Sequence, residues 1–247
     1  MSFNWKKTII VVFDIVIAAY LILAVTAFNK PAEKAAMCSE VKIDIDDEMP
    51  DGFLNANEIK QILERQHLYP LAKPMMDVNA RDIEETLLKN PFVQQAECYK
   101  AQNGHVCISL KQRMPIMHVM SNKDDNYYVD IHGSILPETR YASDLLVVTG
   151  TITRKYAQKK LTPVVNEMVS DKFWQSQIVQ LHVLDDGSLE AVPRVGDHVI
   201  YLGAPTDIPQ KLERLRKFYL YGLNQAGWNK YSYISVEFDN QIICKKK

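Results

Sequence analysis

From residue 8 to residue 28 the chain is almost unbroken apolar, TIIVVFDIVIAAYLILAVTAF; beyond it the apolar positions fall into shorter runs of two periods. As a helix the first run would measure roughly 31 Å at 1.5 Å per residue, close to a bilayer core of about 30 Å. Trp5, Lys6 and Lys7 precede it, which places a short tail (1–7) in the cytoplasm and everything after the 8–28 span outside. Lys30 and Lys34 on the far side weaken that charge asymmetry. Asp14 interrupts the run: such a carboxylate marks a helix–helix contact or proton path, or sits protonated or reaching for the headgroups near the helix start. A cleaved signal peptide ending near Val25-Thr26-Ala27 is the competing reading, and the apolar run is longer than a signal core needs.

Residues 29–38, small and polar, read as a linker. Val41, Ile43 and Ile45 then alternate as a strand, followed by the acidic turn DDEMPDG. Asn55 with Glu58 resembles a capping box ahead of a helical stripe of Ile59, Ile62 and Leu63. Asn79 caps a second helix with Ile83 and Leu87 inward, and Asn90-Pro91 stops it. A hairpin follows, about 92–100 and 105–112, around Asn103-Gly104. The order β-α-α-β-β over 39–113 describes a small sheet with two helices on one face.

A second module runs from 114 to 243. NYYVDIHGSILP predicts strand, turn and strand, and LLVVTG a buried strand. Thr162-Pro163 predicts a helix start carrying Val164, Val165, Met168 and Val169. QIVQLHVL, LEAVP and HVIYLG predict three more strands, with a hairpin at Asp186-Gly187. Thr206 or Asp207 caps a helix with Leu212, Leu215, Phe218 and Tyr219 on one side, closed by Gly227-Trp228. The final stretch YISVEFDNQIIC alternates as a terminal strand, and 244–247 form a solvated basic tail. The fold class expected is α+β, with an antiparallel sheet and flanking helices in this module.

Composition narrows the chemistry. The 47% hydrophobic and 24% charged residues describe a folded chain, and the net charge of −1 gives no sign of a nucleic-acid partner. Cys98 and Cys107 flank the hairpin turn, but the alternation sends their side chains to opposite faces, so no bridge is expected and Cys98 reads as a core residue. The nine glycines form no nucleotide-binding or nucleophile-elbow motif, and the acidic turn does not follow a calcium-loop spacing. Asp130 and His132 could be drawn as an acid–base pair, yet no motif places a nucleophile beside them. No catalytic, metal or cofactor site is expected.

In order and spacing the chain resembles the FtsQ/DivIB family of bacterial cell-division proteins. VKIDI with FLNANEIKQIL looks like the opening of that family's POTRA domain, and IEETLLKNPFVQQAECYK is similar to its helix-to-hairpin stretch. ISLKQRMPIMHV resembles the exit through Arg113-Met114-Pro115; YYVDIHGSILP, GDHVIYLG with KLERLRKFY, and YISVEFDNQIIC resemble the β domain that follows. Ser235-Val236-Glu237 departs from the family's usual Asp-Leu-Arg, keeping the apolar phase and changing the outward charges. The resemblance implies a non-enzymatic divisome scaffold in the inner membrane at the division septum. Its partners would be FtsB-type and FtsL-type proteins, with other divisome membrane proteins reached through the POTRA domain and the membrane helix.

The terminal strand would receive the FtsB-type segment by strand addition. Tyr233, Ser235 and Glu237 are expected on one face and Ile234, Val236 and Phe238 on the other, with Tyr233 as an anchor. The alternatives are a last strand closed into the core, and a POTRA chaperone taking unfolded outer-membrane strands along the hairpin edge.

Overall fold

The structure, a computed structural model, describes residues 5–28, 36–46, 53–101, 103–139 and 145–247; the side chains of 6–11 and 26–28 lie outside that set. The acidic turn at 47–52, most of the linker, and the side chains of Lys6, Lys7, Lys30 and Lys34 therefore lie outside the described residues. Helix α1 (Trp5–Phe28) covers the expected span. Among the described residues no helix is long and apolar enough to cross a membrane. The consecutive described side chains of α1, residues 12–25, would cover about 21 Å.

In the first module the local signals act as predicted. Asn55 accepts from the Glu58 amide to start α2 (Ala56–Arg65), and Asn79 accepts from the Arg81 amide to start α3 (Ala80–Leu87). Ile59, Leu63, Ile83 and Leu87 are fully buried against a three-stranded sheet. Its strands are β1 (Glu40–Asp46), β2 (Val93–Lys100) and β3 (His105–Gln112), in the order β1-β3-β2, with β1 parallel and β2 antiparallel to the central strand. The end of the expected linker belongs to this module: Cys38 is buried, its N–H donates to Lys73 O and its carbonyl accepts from Ala72. All four cysteines are free; Cys98 faces Ile108 in the ladder and Cys107 faces Tyr99, so the two thiols take opposite faces.

The second module is one nine-stranded sheet, and it is mixed where an antiparallel one was expected. Its strands are β4 (Pro115–Ser121), β5 (Asn126–Asp130), β6 (Ile135–Pro137), β7 (Leu146–Gly150), β8 (Ile178–Val183), β9 (Leu189–Pro193), β10 (Val199–Gly203), β11 (Tyr231–Ser235) and β12 (Ile243–Lys246), in the order β12-β11-β10-β9-β8-β7-β4-β5-β6. The pairs β4/β7, β7/β8 and β10/β11 are parallel, the rest antiparallel. Parallel neighbours need a long crossover: the helices after β7 and β10 supply it for β7/β8 and β10/β11, and β5 and β6 lie between β4 and β7. Gly150, at φ +114°, lets β7 pass so close to β8 that a Cβ would fall 2.1 Å from Val183 O.

Two helix starts differ from expectation. Thr153 accepts from the Tyr156 amide and starts a helical path through α4 (Arg154–Tyr156), a π turn (Ala157–Leu161) and α5 (Thr162–Ser170). Thr162 therefore continues this path: its N–H and hydroxyl both donate to Ala157 O. The wide turn just ahead of Pro163 fits a residue with no N–H to give the ladder. Asp207 does precede α7 (Ile208–Lys217), but in a left-handed conformation (φ 55°) that makes no side-chain cap. The path continues through a π segment (Phe218–Leu223) and α8 (Asn224–Ala226). With α6 (Lys172–Gln177), these helices cover one face of the sheet: Val164, Val165, Met168, Trp174, Leu212, Leu215 and Tyr219 pack on Val119, Val148, Leu181, Ile200 and Ile234.

The two modules share packing. Phe53 stacks on Phe92 at 5.3 Å and meets Tyr128 edge-on at 5.7 Å, so Tyr128 and Leu136 of the second module belong to the first module's core. Beside them Asp130, 2% exposed, accepts from the His132 and Ser134 amides through Oδ1 and from Arg113 through Oδ2. These hydrogen bonds hold a turn and the inter-module junction, and none of them joins the carboxylate to the His132 ring as an acid–base pair would require. Asp130→Ala is expected to lower unfolding free energy by about 2–4 kcal/mol, since it orphans two turn amides and removes the charge partner of the Arg113 guanidinium, leaving it Ser134 Oγ. Urea titration of the full chain checks this; a loss near zero contradicts it.

Candidate functional site at the last strand pair

The final stretch folds into two strands, where one was expected. Strand β11 ends at Ser235, the chain turns back through 236–242, and β12 pairs antiparallel with β11, Ile234 facing Cys244 and Ser235 facing Ile243. Asn240, at φ 63°, lies in the left-handed region that this turn uses and that asparagine tolerates. Both sides of β11 are thereby engaged, by β10 and by β12, and β12 ends the sheet. Lys245 and Lys246 belong to β12, while the Lys247 amide donates to Lys230 O and its ammonium to Asp197 at 2.8 Å. The basic tail is thus built into the sheet.

The six predicted site residues separate accordingly. Ile234 and Val236 are fully buried in the helix-covered core and Ser235 is 7% exposed, so none offers a side chain to a partner. Tyr233 lies half-buried, its ring stacked on Tyr201 at 6.0 Å. Glu237 packs over Gly203, where a Cβ would come 2.9 Å from its Cγ. Phe238 is 48% exposed and points away from the core its alternation predicted. Ile243, 49% exposed, adds an apolar side chain that periodicity did not single out. The available signal was Asp239-Asn240, a turn pair between two apolar runs.

Behind the turn, α7 contributes two cations that sequence pattern left on its polar face. Arg214 donates to Val236 O at 2.9 Å and to Asp239 Oδ1 at 3.2 Å. Lys211, 5% exposed, donates to Ala204 O at 2.8 Å. Burial pushes the Lys211 amine below the usual lysine range, while Asp207, Glu237 and Asp239 pull it back.

Away from the helices, the other face of the sheet carries half-buried polar side chains: Gln180 and His182 both bond Thr149 Oγ1, at 3.0 and 2.9 Å. Two concavities lie elsewhere, a cavity of ≈ 230 Å³ against Trp174 and Ile178 and a groove of ≈ 700 Å³ between α2, the turn after α3 and Pro137 of β6. Among the described residues no three His, Cys, Asp or Glu side chains gather as a metal site.

A three-stranded sheet under two helices, followed by a larger mixed sheet that ends in a short strand, describes a two-module architecture offering backbone edges. The comparisons agree. A family model described as POTRA-like domain matches residues 36–111. One described as FtsQ/DivIB, C-terminal related matches residues 114–245, more than half of the chain, which therefore belongs to the FtsQ/DivIB family. This is a family of cell-division scaffolds. Among curated proteins none matches the chain.

The Tyr233 hydroxyl is pushed up to about 12 by burial, with Glu190, Tyr201 and Glu237 adding to the rise. A raised value means that Tyr233 favours the fold below the ordinary tyrosine value of 10.0 and that this contribution is lost as pH rises through about 12. Phenolate absorbance of wild type minus Tyr233→Phe should show one group ionising near 12; a midpoint at 10.0 contradicts the packing.

Proposed function

We propose that the chain is a non-enzymatic, single-pass scaffold of the division machinery that receives an extended FtsB-type segment on the outer edge of β12. The segment brings an FtsL-type partner with it, and the scaffold thereby regulates septal peptidoglycan synthesis. Helix α1 anchors it in the inner membrane, N-terminus cytoplasmic, with both modules periplasmic at the septum; the exposed Phe13, Ile15, Val16, Leu21 and Ile22 support a lipid-facing role. The POTRA face and the anchor are left for other divisome membrane proteins.

The observation that carries this reading is the end of the sheet. An edge strand presents unpaired N–H and C=O groups that a partner strand can complete. Strand β12 is such an edge, and exposed Ile243 and Phe238 supply apolar surface near the same connection. Lys245 and Lys246 are the kind of charged residues with which a short edge avoids pairing with a copy of itself. The hairpin edge on which a chaperone reading depends is less open: α3 reaches it, and Glu84 takes the Cys98 N–H at 2.7 Å.

Deleting 243–247 should abolish capture of soluble FtsB/FtsL-type segments from the same cell and leave near-ultraviolet circular dichroism nearly unchanged. Phe238→Ala, which truncates an exposed ring, should weaken capture by about tenfold. Undiminished capture by the deletion variant would place the partner elsewhere.

A further inference from the structure

Strand β12 is four residues long and only Cys244 among them is not exposed, so its own side chains hold it weakly. Lys247 ties its far end to Lys230 O and Asp197, and its near end depends on the connection before it. That connection begins at Val236, and both of its main-chain groups are taken: the N–H donates to Tyr201 O at 3.0 Å, extending the ladder to β10, and the carbonyl accepts from Arg214 at 2.9 Å. Strand β12 starts at Ile243, opposite Ser235, so no residue of β12 pairs with Val236, and Arg214 supplies the donor for its carbonyl from α7.

The same guanidinium holds Asp239 three residues on. Glu237, between them, sits over Gly203, and Lys211 ties the turn after Gly203 through Ala204 O.

We propose that Arg214 is a positioning residue for the docking edge: by gripping Val236 and Asp239 at once it fixes the 236–242 connection and holds β12 in place on β11. The proposal rests on the reading of β12 as the docking edge. An arginine is suited to the task because its planar fork presents several donors in fixed geometry, whereas a lysine offers a single point charge. Arg214 touches no partner in this scheme and acts through the backbone it holds.

Amide hydrogen exchange on the full-length chain tests it, with wild type, Arg214→Ala and Arg214→Lys compared. In Arg214→Ala the amides of 243–246 should exchange roughly tenfold faster while those of β8 and β9 keep their rates, and Arg214→Lys should fall between. Capture of the FtsB/FtsL-type segments should weaken in the same order. Unchanged exchange at 243–246 would overturn the role of Arg214, as would acceleration spread equally over β8 and β9. Faster exchange confined to 243–246 with capture undiminished would overturn docking on this edge and leave the grip of Arg214 on the connection standing.

Discussion

A hydrogen-bonded sheet has to end, and how it ends governs what the molecule can do. The nine-stranded sheet has two ends of different kinds. At one, β6 closes against the first module, where Leu136 enters that module's core. At the other, β12 is short, lysine-bearing and mostly exposed. Helices bury the apolar stripe of one face, and the backbone along the outer side of β12 has no neighbouring strand. A binding role follows more naturally from that arrangement than a catalytic one.

The junction between modules serves the same end. Phe53, Phe92 and Tyr128 form one aromatic cluster across it, and Arg113 reaches back to Asp130 and Ser134. A chain with a loose linker here would present its two modules independently. This one carries a shared core cluster from the POTRA-like sheet into β5 and β6, so a partner held on either module has a defined relation to the other.

Much of this was legible because local chemistry and global fold agree. Asn55 and Asn79 are side chains whose capping role needs no tertiary context, and Gly104 and Gly187 hold the positive φ that their hairpin turns demand. The readings that changed needed context. Thr162-Pro163 has the composition of a helix start, and only the upstream cap at Thr153 with a π turn makes it internal. The parallel pairs depend on which strands the crossovers bring together, through helices for β7/β8 and β10/β11 and through β5 and β6 for β4/β7, which periodicity does not encode. The last strand kept its apolar phase to Val236 and lost it at Phe238, because the turn through Asn240 reverses the chain before alternation has run its course. The predicted site residues therefore lie near the candidate edge and not on it, with three of the six, Ile234, Ser235 and Val236, buried behind it.

The central claim is that a partner segment meets the chain at β12. The most direct measurement is photo-crosslinking in dividing cells, with the reactive side chain placed at Lys245 on β12 and, separately, at Gln180 on the uncovered face of the same sheet. Docking on β12 gives an adduct with the FtsB-type protein from position 245 and none from position 180. An adduct from 180 with none from 245 would contradict it and move the docking site from the sheet's edge to its face.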